Sequence, residues 1–178
     1  MAAKGFIKLL EMVERSRART HGLSANGQAA NYWSGVGFML DSQYYLAAMG
    51  EVSEVLAVPR YTRVPGTKDW MKGIANIRGR LLPIMDLPGY FNRRSCVAEH
   101  RRRLIVIDQG HIFSGLIVDD VLGIQHFSIP DYICNAPDIP VDLTPFVQGA
   151  FRREGCHWTI FSLSRLVEDP AFLQAAKN

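Results

Sequence analysis

The sequence predicts a mainly β fold built from two small β-barrels, and three observations carry this prediction. From Trp33 onward the chain consists of short apolar, β-branched and aromatic runs separated by turn residues, which is typical of an all-β barrel or sandwich. Two pairs of these runs predict β-hairpins, at residues 37–48 and 103–118, with Asp and Gly at the turns. The third observation is an internal repeat.

The repeat begins where each predicted hairpin ends. An acidic residue, a valine and an aliphatic residue recur 69 positions apart: Glu51 with Asp120, Val52 with Val121, and Val55 with Ile124. A second set recurs 76 positions apart: Gly73 with Gly149, Gly79 with Gly155, Ile84 with Ile160, and Leu87 with Leu163. The extra seven residues fit the Asp-, Pro- and Asn-rich segment 128–145. The consistent order favours an internal duplication over a chance match, and two such units make two small barrels that share an interface.

The two ends of the chain predict helices. Apolar residues near the start recur at helical spacing between charged ones, so residues 1–30 are predicted to form an amphipathic helix and a linker. A short C-terminal helix is predicted after Ser164, and Asp169-Pro170 interrupts or restarts it, which leaves residues 169–178 as a helical tail.

Composition narrows the class of protein. Hydrophobic residues make up 48% and charged residues 21%, which is sufficient for a packed core, and a net charge of +3 is too small to indicate nucleic-acid binding by itself. Three scattered cysteines argue against a disulfide framework or a zinc site. The sequence contains neither a secretory signal nor an apolar run long enough to span a bilayer. We therefore expect a cytoplasmic protein without a cofactor.

Catalysis has little support in the sequence. The motifs that position a serine nucleophile, a catalytic zinc, a phosphate or a dinucleotide do not occur. Asp119 and Asp120 are neighbours on a predicted strand, so their side chains point to opposite faces and do not form a carboxylate pair. A Cys/His nucleophile assembled by the fold is the remaining enzymatic alternative.

Residues 73–87, with the sequence GIANIRGRLLPIMDL, closely resemble the central signature of CheW-like domains. Other matches occur in the order expected for that family. They are VSEVL at 52–56, VPG at 64–66, GLIVDDVLG at 115–123, FVQG at 146–149 and FSL at 161–163. The resemblance covers about residues 33–168, and five ordered matches are much more specific than any one of them.

The resemblance implies a fold and a function. It implies a CheW-like domain at residues 33–168, made of two intertwined SH3-like five-stranded β-barrels. Members of the family are non-catalytic scaffolds that bind the regulatory domain of a CheA-type histidine kinase and the cytoplasmic tip of a chemoreceptor. The positions that match the partner-binding positions of the family are Val52, Glu54, Gly73, Arg78 and Leu81.

A narrower resemblance concerns the biological system. The N-terminal extension, WSGVGF at 33–38 and PRYT at 59–62 resemble the adaptors of type IV pilus chemosensory systems, which control twitching motility. This resemblance implies a cytoplasmic protein that is recruited to membrane-associated, polar arrays without inserting into the bilayer.

Each candidate residue also has a structural explanation. Arg78 either pairs with a carboxylate of a partner or forms an intramolecular salt bridge to Glu54 or Asp86. Val52 is either a core residue or an exposed docking position, and Gly73 with Gly79 fits a requirement of the backbone. Leu81 and Leu82 point to opposite faces of a strand, so one of them is available as an interface anchor.

The basic cluster at residues 93–103 gives the main functional alternative, a basic nucleic-acid-binding β-barrel protein. Because no aromatic residues are interleaved with the arginines, a solvated loop between the barrels is favoured. The N-terminal helix could lie on a membrane surface, but packing on the barrels or on a partner helix is favoured.

Overall fold

The computed structural model describes residues 32–176, which form eleven β-strands and three short α-helices. The predicted N-terminal helix and linker lie outside these residues. The strands are β1 (Tyr32–Leu40), β2 (Gln43–Ala48), β3 (Glu54–Ala57), β4 (Met71–Ile77), β5 (Arg80–Asp86), β6 (Arg103–Gln109), β7 (Ile112–Val118), β8 (Asp120–Ser128), β9 (Tyr132–Ile133), β10 (Val147–Arg153) and β11 (Cys156–Phe161). The helices are α1 (Leu87–Tyr90), α2 (Leu163–Val167) and α3 (Pro170–Leu173).

The strands form two sheets. Sheet A has the order β8-β1-β2-β11-β10-β9, and sheet B has the order β3-β6-β7-β5-β4. The mainly β class and both hairpins, β1–β2 and β6–β7, are confirmed. The prediction of two closed, five-stranded barrels is wrong in two respects. Sheet A has six strands, and within residues 32–176 no ladder of paired strands joins the two edges of either sheet.

Both sheets are nevertheless strongly curled. The edge strands of sheet A, β8 and β9, are separated by only three residues, Ile129–Asp131. Six strands laid flat at about 4.8 Å would place these edges about 24 Å apart, whereas the connection spans at most about 14 Å. In sheet B the chain after β3 returns to the opposite edge, where Thr62 pairs with Ile74 of β4. Each sheet therefore wraps around its own apolar interior.

Each sheet combines strands from both repeat units. Hairpin β1–β2 belongs to the first unit, but β2 pairs in parallel with β11 of the second. Hairpin β6–β7 belongs to the second unit, but β7 pairs in parallel with β5 of the first. All the other strand pairs are antiparallel. The two hairpins are thus exchanged between the units, which prevents either unit from forming its sheet alone.

Repeat-related residues occupy equivalent positions. The strand pairing shifts register immediately before Gly73 and before Gly149, and their φ angles are +151° and +138°. Gly79 and Gly155 lie in the following turns with φ of +83° and +78°. Ile84 and Ile160 are buried, and Leu87 and Leu163 are the first residues of α1 and α2. The spacing found in the sequence therefore corresponds to a repeated bulge, turn, buried strand and helix start.

The core has three parts. The largest lies between the sheets, and it includes Phe38 and Phe161 from sheet A and Ile105 and Leu116 from sheet B. A second cluster, around Phe151, fills the curl of sheet A, and a third fills the curl of sheet B. Alternation along each strand directs side chains in turn to the curl and to the space between the sheets. The two sheets are therefore joined by apolar packing as well as by the exchanged hairpins.

Candidate functional site

The candidate site is centred on the two-residue turn between β4 and β5. Arg78 and Gly79 form this turn with φ of +51° and +83°, which suits the twist of a hairpin. The Asn76 side-chain oxygen accepts a hydrogen bond from the Gly79 amide at 2.8 Å. Gly79 thus serves the backbone, as the sequence predicted, and the Arg78 side chain is 78% exposed.

Arg78 forms an ion pair with Glu54 of β3. The Arg78 Nη2 atom lies 2.9 Å from the Glu54 Oε2 atom, and the Glu54 side chain is 25% exposed. The intramolecular alternative for Arg78 is therefore present in the fold, with Glu54 as its partner. A solvent-exposed pair of this kind contributes only about 0–1 kcal/mol to stability. A partner molecule can therefore exchange this pair for its own charges at little cost to the fold.

A second ion pair lies beside the first. Arg80 donates two hydrogen bonds to Asp108, at 2.5 and 3.3 Å, and its guanidinium lies 3.7 Å from the centre of the Phe113 ring. The hydrogen bond from Arg80 lowers the pKa of the Asp108 carboxyl, and the same bond raises the pKa of Arg80. Sequence reasoning missed these three residues, because β5, β6 and β7 meet only in the folded sheet.

The two ion pairs line a shallow depression of about 190 Å³. Its other lining residues are Ser53, Ile77 and Phe113. Sites for small molecules usually enclose about 300–1,000 Å³ with mainly apolar walls. This depression is smaller and is lined by two arginines and two carboxylates, so it suits individual side chains of a protein partner.

Exposed apolar side chains adjoin the charged residues in sequence. Leu81 follows Arg80 and is 68% exposed, whereas Leu82 is fully buried, so the predicted division of the two leucines between faces is confirmed. Val55 follows Glu54 and is 39% exposed. Because neighbouring strand residues point to opposite faces, Val55 and Leu81 lie outside the depression that the ion pairs line. We call Glu54, Val55, Arg78, Arg80, Leu81 and Asp108 the candidate surface.

The other two predicted partner-binding residues, Val52 and Gly73, do not line the depression. Val52 is half-buried and packs against the core between the sheets. Gly73 is buried, and a Cβ there would lie 2.2 Å from the Thr62 carbonyl oxygen. Arg78 and Leu81 are thus well exposed, Glu54 and Val52 are partly exposed, and Gly73 is buried.

The basic cluster at residues 93–103 is mostly exposed, as predicted for a solvated loop, but Arg102 within it is buried. Arg102 is 5% exposed, and its Nη2 atom lies 2.5 Å from the Asp86 carboxylate. Arg93 pairs with Asp142 at 3.0 Å. Two arginines of the cluster are thus bound by carboxylates of the same chain, so the cluster does not present a continuous basic surface to nucleic acid.

Metal ligands, thiols and apolar helices are the remaining features of residues 32–176 that bear on function. No group of three or more His, Cys, Asp and Glu side chains there has a geometry that could hold a metal ion. Cys96, Cys134 and Cys156 are free thiols. In the same part of the chain, no helix has the length and apolar character needed to cross a membrane.

Comparison with known families decides the class of this protein. The model of the CheW-like domain matches residues 34–171, which include both sheets almost completely. The chain belongs to the CheW-like family. The resemblance found in the sequence is thereby confirmed, and the CheW-like signature at residues 73–87 corresponds to β4, the turn of the candidate surface and β5.

The chain is similar in sequence or structure to three CheW-like proteins. It is 43% identical to protein PilI of Pseudomonas aeruginosa over 171 residues, which cover 96% of both chains. It is 29% identical to the chemotaxis protein CheW of Klebsiella aerogenes over 63% of this chain and 68% of that protein. The crystal structure of the scaffolding protein TtCheW from Thermoanaerobacter tengcongensis has a TM-score of 0.67 and 26% identity, covering 78% and 94% of the two chains.

Proposed function

We propose that this protein is a non-catalytic adaptor that couples a methyl-accepting chemoreceptor to a CheA-type histidine kinase. In this proposal it acts in the cytoplasm at a membrane-associated, polar array, in a system that controls type IV pilus twitching motility. The observation that carries the proposal is the 43% identity to PilI over 96% of both chains. Because the aligned region covers nearly all of both chains, the similarity is not confined to one motif.

The candidate surface supports a role in binding proteins. Its two ion pairs are exposed, so each contributes little to stability. Leu81 is an exposed apolar side chain that a partner can bury on binding. A receptor or kinase carboxylate can take the place of Glu54 on the Arg78 fork. Changes in receptor geometry at this surface would then shift the population of active kinase without chemistry in the adaptor.

The first test is calorimetric titration of the purified protein with a CheA-type regulatory domain and, separately, with a receptor tip fragment. We expect Leu81→Ala to weaken binding to at least one partner by about tenfold, the effect of losing a central anchor. His157→Ala is the matched control, because His157 is the repeat counterpart of Leu81 and is also exposed. Equal affinities for Leu81→Ala, His157→Ala and the unchanged protein would contradict the assigned surface.

A charge exchange distinguishes the two roles of Arg78. The double variant Glu54→Arg with Arg78→Glu restores an intramolecular ion pair but reverses the charge offered to a partner. If Arg78 contacts a partner carboxylate, both the single and the double variants lose affinity. Recovery of full affinity in the double variant would instead assign Arg78 a purely structural role.

The biological part of the proposal has its own test. A strain that lacks the gene is complemented with the unchanged chain or with Arg78→Glu, and twitching zones are measured on agar. We expect only the unchanged chain to restore twitching. Full twitching in the strain without any copy of the gene would contradict the assignment to the pilus system.

A further inference from the structure

The last described residues lie across the loop that precedes β4. We call residues 169–176 the C-terminal strap. The Asp169 carboxylate accepts hydrogen bonds from the amides of Ala171 and Phe172, so it begins the single turn of α3. Phe172 is 1% exposed and belongs to the core between the sheets, whereas the next residue, Leu173, is 62% exposed. Phe172 is therefore the apolar anchor of the strap.

Phe172 completes an aromatic cluster with Trp70 and Tyr90. Its ring stacks on Trp70 with centroids 5.5 Å apart and meets the edge of Tyr90 at 5.2 Å. The Tyr90 hydroxyl donates to the Asp169 carboxylate at 3.2 Å. Burial, helped by Asp169, raises the pKa of Tyr90 to about 12, so the hydroxyl stays protonated and continues to donate. Both the ring and the first residue of the strap are thus fixed.

The other end of the strap pairs with the loop through its backbone. The Lys68 amide donates to the Ala175 carbonyl at 2.8 Å, and Thr67 forms a β-bridge with Ala176. The strap therefore contacts three residues of the loop, Thr67, Lys68 and Trp70. These contacts join residues that are more than 100 positions apart in the sequence.

The same loop is hydrogen-bonded to β4. Thr62 and Ile74 exchange two backbone hydrogen bonds, each 2.9 Å long, and the lack of a side chain at Gly73 allows this close approach. At the end of the loop, the Trp70 carbonyl accepts from the Asp86 amide of β5 at 2.7 Å. β4 and β5 then lead directly to the turn that carries Arg78. The strap, the loop and the candidate surface form one continuous chain of contacts.

We propose that Phe172 is a positioning residue for partner binding, since the strap fixes the loop at residues 58–70 and, through it, the β4–β5 hairpin that carries Arg78 and Leu81. This inference rests on the proposed function of that surface. It assigns to the C-terminal residues a role in the affinity of a site that they do not touch.

The test combines amide hydrogen exchange with binding to the CheA-type regulatory domain and to the receptor tip fragment. Phe172→Leu removes the ring stack while keeping an apolar side chain. Leu173→Ala changes the exposed neighbour on the same helical turn, and Phe151→Leu makes the identical substitution in the curl of sheet A. All variants are measured as full-length chains below their unfolding temperatures.

We expect Phe172→Leu to speed exchange at the amides of Thr62, Lys68 and Ile74 and to weaken binding by about 2- to 30-fold, the range spanned by indirect coupling. Phe151→Leu should lower the unfolding temperature without either change, and Leu173→Ala should resemble the unchanged protein. Unchanged exchange at these three amides, or equal acceleration by Phe151→Leu, would overturn the proposal. So would unchanged affinity for both partners.

The two proposals fail in different ways. If even the unchanged protein binds neither partner, the adaptor function fails, whereas the exchange data still decide whether the strap fixes the loop and β4. If the unchanged protein binds and Phe172→Leu binds equally well, only the positioning role is lost. A Phe172→Tyr variant keeps the ring stack, and recovery of slow exchange and affinity there would attribute the effect to the ring.

Discussion

The turn between β4 and β5 and the turn between β10 and β11 have the same backbone but different side chains. Arg78-Gly79 has φ of +51° and +83°, and Glu154-Gly155 has φ of +51° and +78°. The first turn is tied to Glu54, whereas the repeat counterpart of Glu54 is Gly123. The repeat thus sets the path of the chain in both sheets, and the side chains alone distinguish the two turns.

The largest loss of stability should come from changing the contacts of Asp86, which precedes α1. Its repeat counterpart is Ser162, which precedes α2. Asp86 is bound by the buried Arg102, which also lies 3.7 Å from Asp119, whereas Ser162 hydrogen-bonds to Glu51 at 2.9 Å. We expect Arg102→Met to destabilise the fold by about 3–5 kcal/mol, because it leaves the buried Asp119 without its arginine and Asp86 with only Lys72, 3.6 Å away.

Ser162→Ala is the matched change in the second unit, and it should cost about 1–2 kcal/mol, the usual effect of losing a helix cap. The free energies of unfolding come from urea titrations of both variants. Similar losses for the two would show that the buried ion network contributes no more than an ordinary cap.

The second prediction concerns the two bulge glycines. A Cβ at Gly73 would lie 2.2 Å from the Thr62 carbonyl oxygen, which is backbone, whereas one at Gly149 would lie 2.5 Å from the Tyr132 hydroxyl oxygen, which is part of a side chain. Both φ angles disfavour other residues, at about 1–3 kcal/mol each. We expect Gly73→Ala to cost at least about 3 kcal/mol and Gly149→Ala about 1–2 kcal/mol, because a side chain moves more easily than backbone. Equal losses in denaturant titrations would refute this ranking.

The third prediction separates stability from binding at the candidate surface. A double-mutant cycle on Glu54 and Arg78, with alanine at each position, should give a coupling of about 0–1 kcal/mol in the free energy of unfolding. Glu154→Ala, in the equivalent turn, should change stability by less than about 0.5 kcal/mol. A coupling above about 2 kcal/mol would mean that the pair holds the fold together, which would weaken its assignment as an exchangeable docking pair.

The smallest effect is a titration. The hydrogen bond from Arg80 holds the pKa of Asp108 below its usual value of 3.8. Because the folded-state pKa is lowered, the stabilisation by this pair is present above the unfolded-state pKa and is lost as the pH falls through the folded-state pKa. NMR titration should show the Asp108 pKa returning to its usual value in Arg80→Gln. An unchanged pKa would mean that the pair is not formed in solution. In the repeat, Asp108 corresponds to Met39 and Arg80 corresponds to Cys156, so this ion pair has no counterpart there.

Local features of the candidate site followed from the sequence. The backbone role of Gly79 and the division of Leu81 and Leu82 between opposite faces both depend on residues within one hairpin. Arg80, Asp108 and Phe113 were not predicted, because they lie on three strands that become neighbours only when β6 and β7 join β5. The burial of Arg102 was missed for the same reason, since its carboxylates lie on other segments of the chain.

The sequence alone determined the runs that become strands, the hairpin turns, the repeated glycines and the membership of the CheW-like family. These features depend on backbone preferences and side-chain alternation, which act over a few residues. Only the tertiary structure decided the exchange of hairpins between the sheets, the open ladders, the buried ion network and the C-terminal strap. Each of these depends on segments that are far apart in the chain, and their contacts form only after the apolar faces of both sheets have packed together.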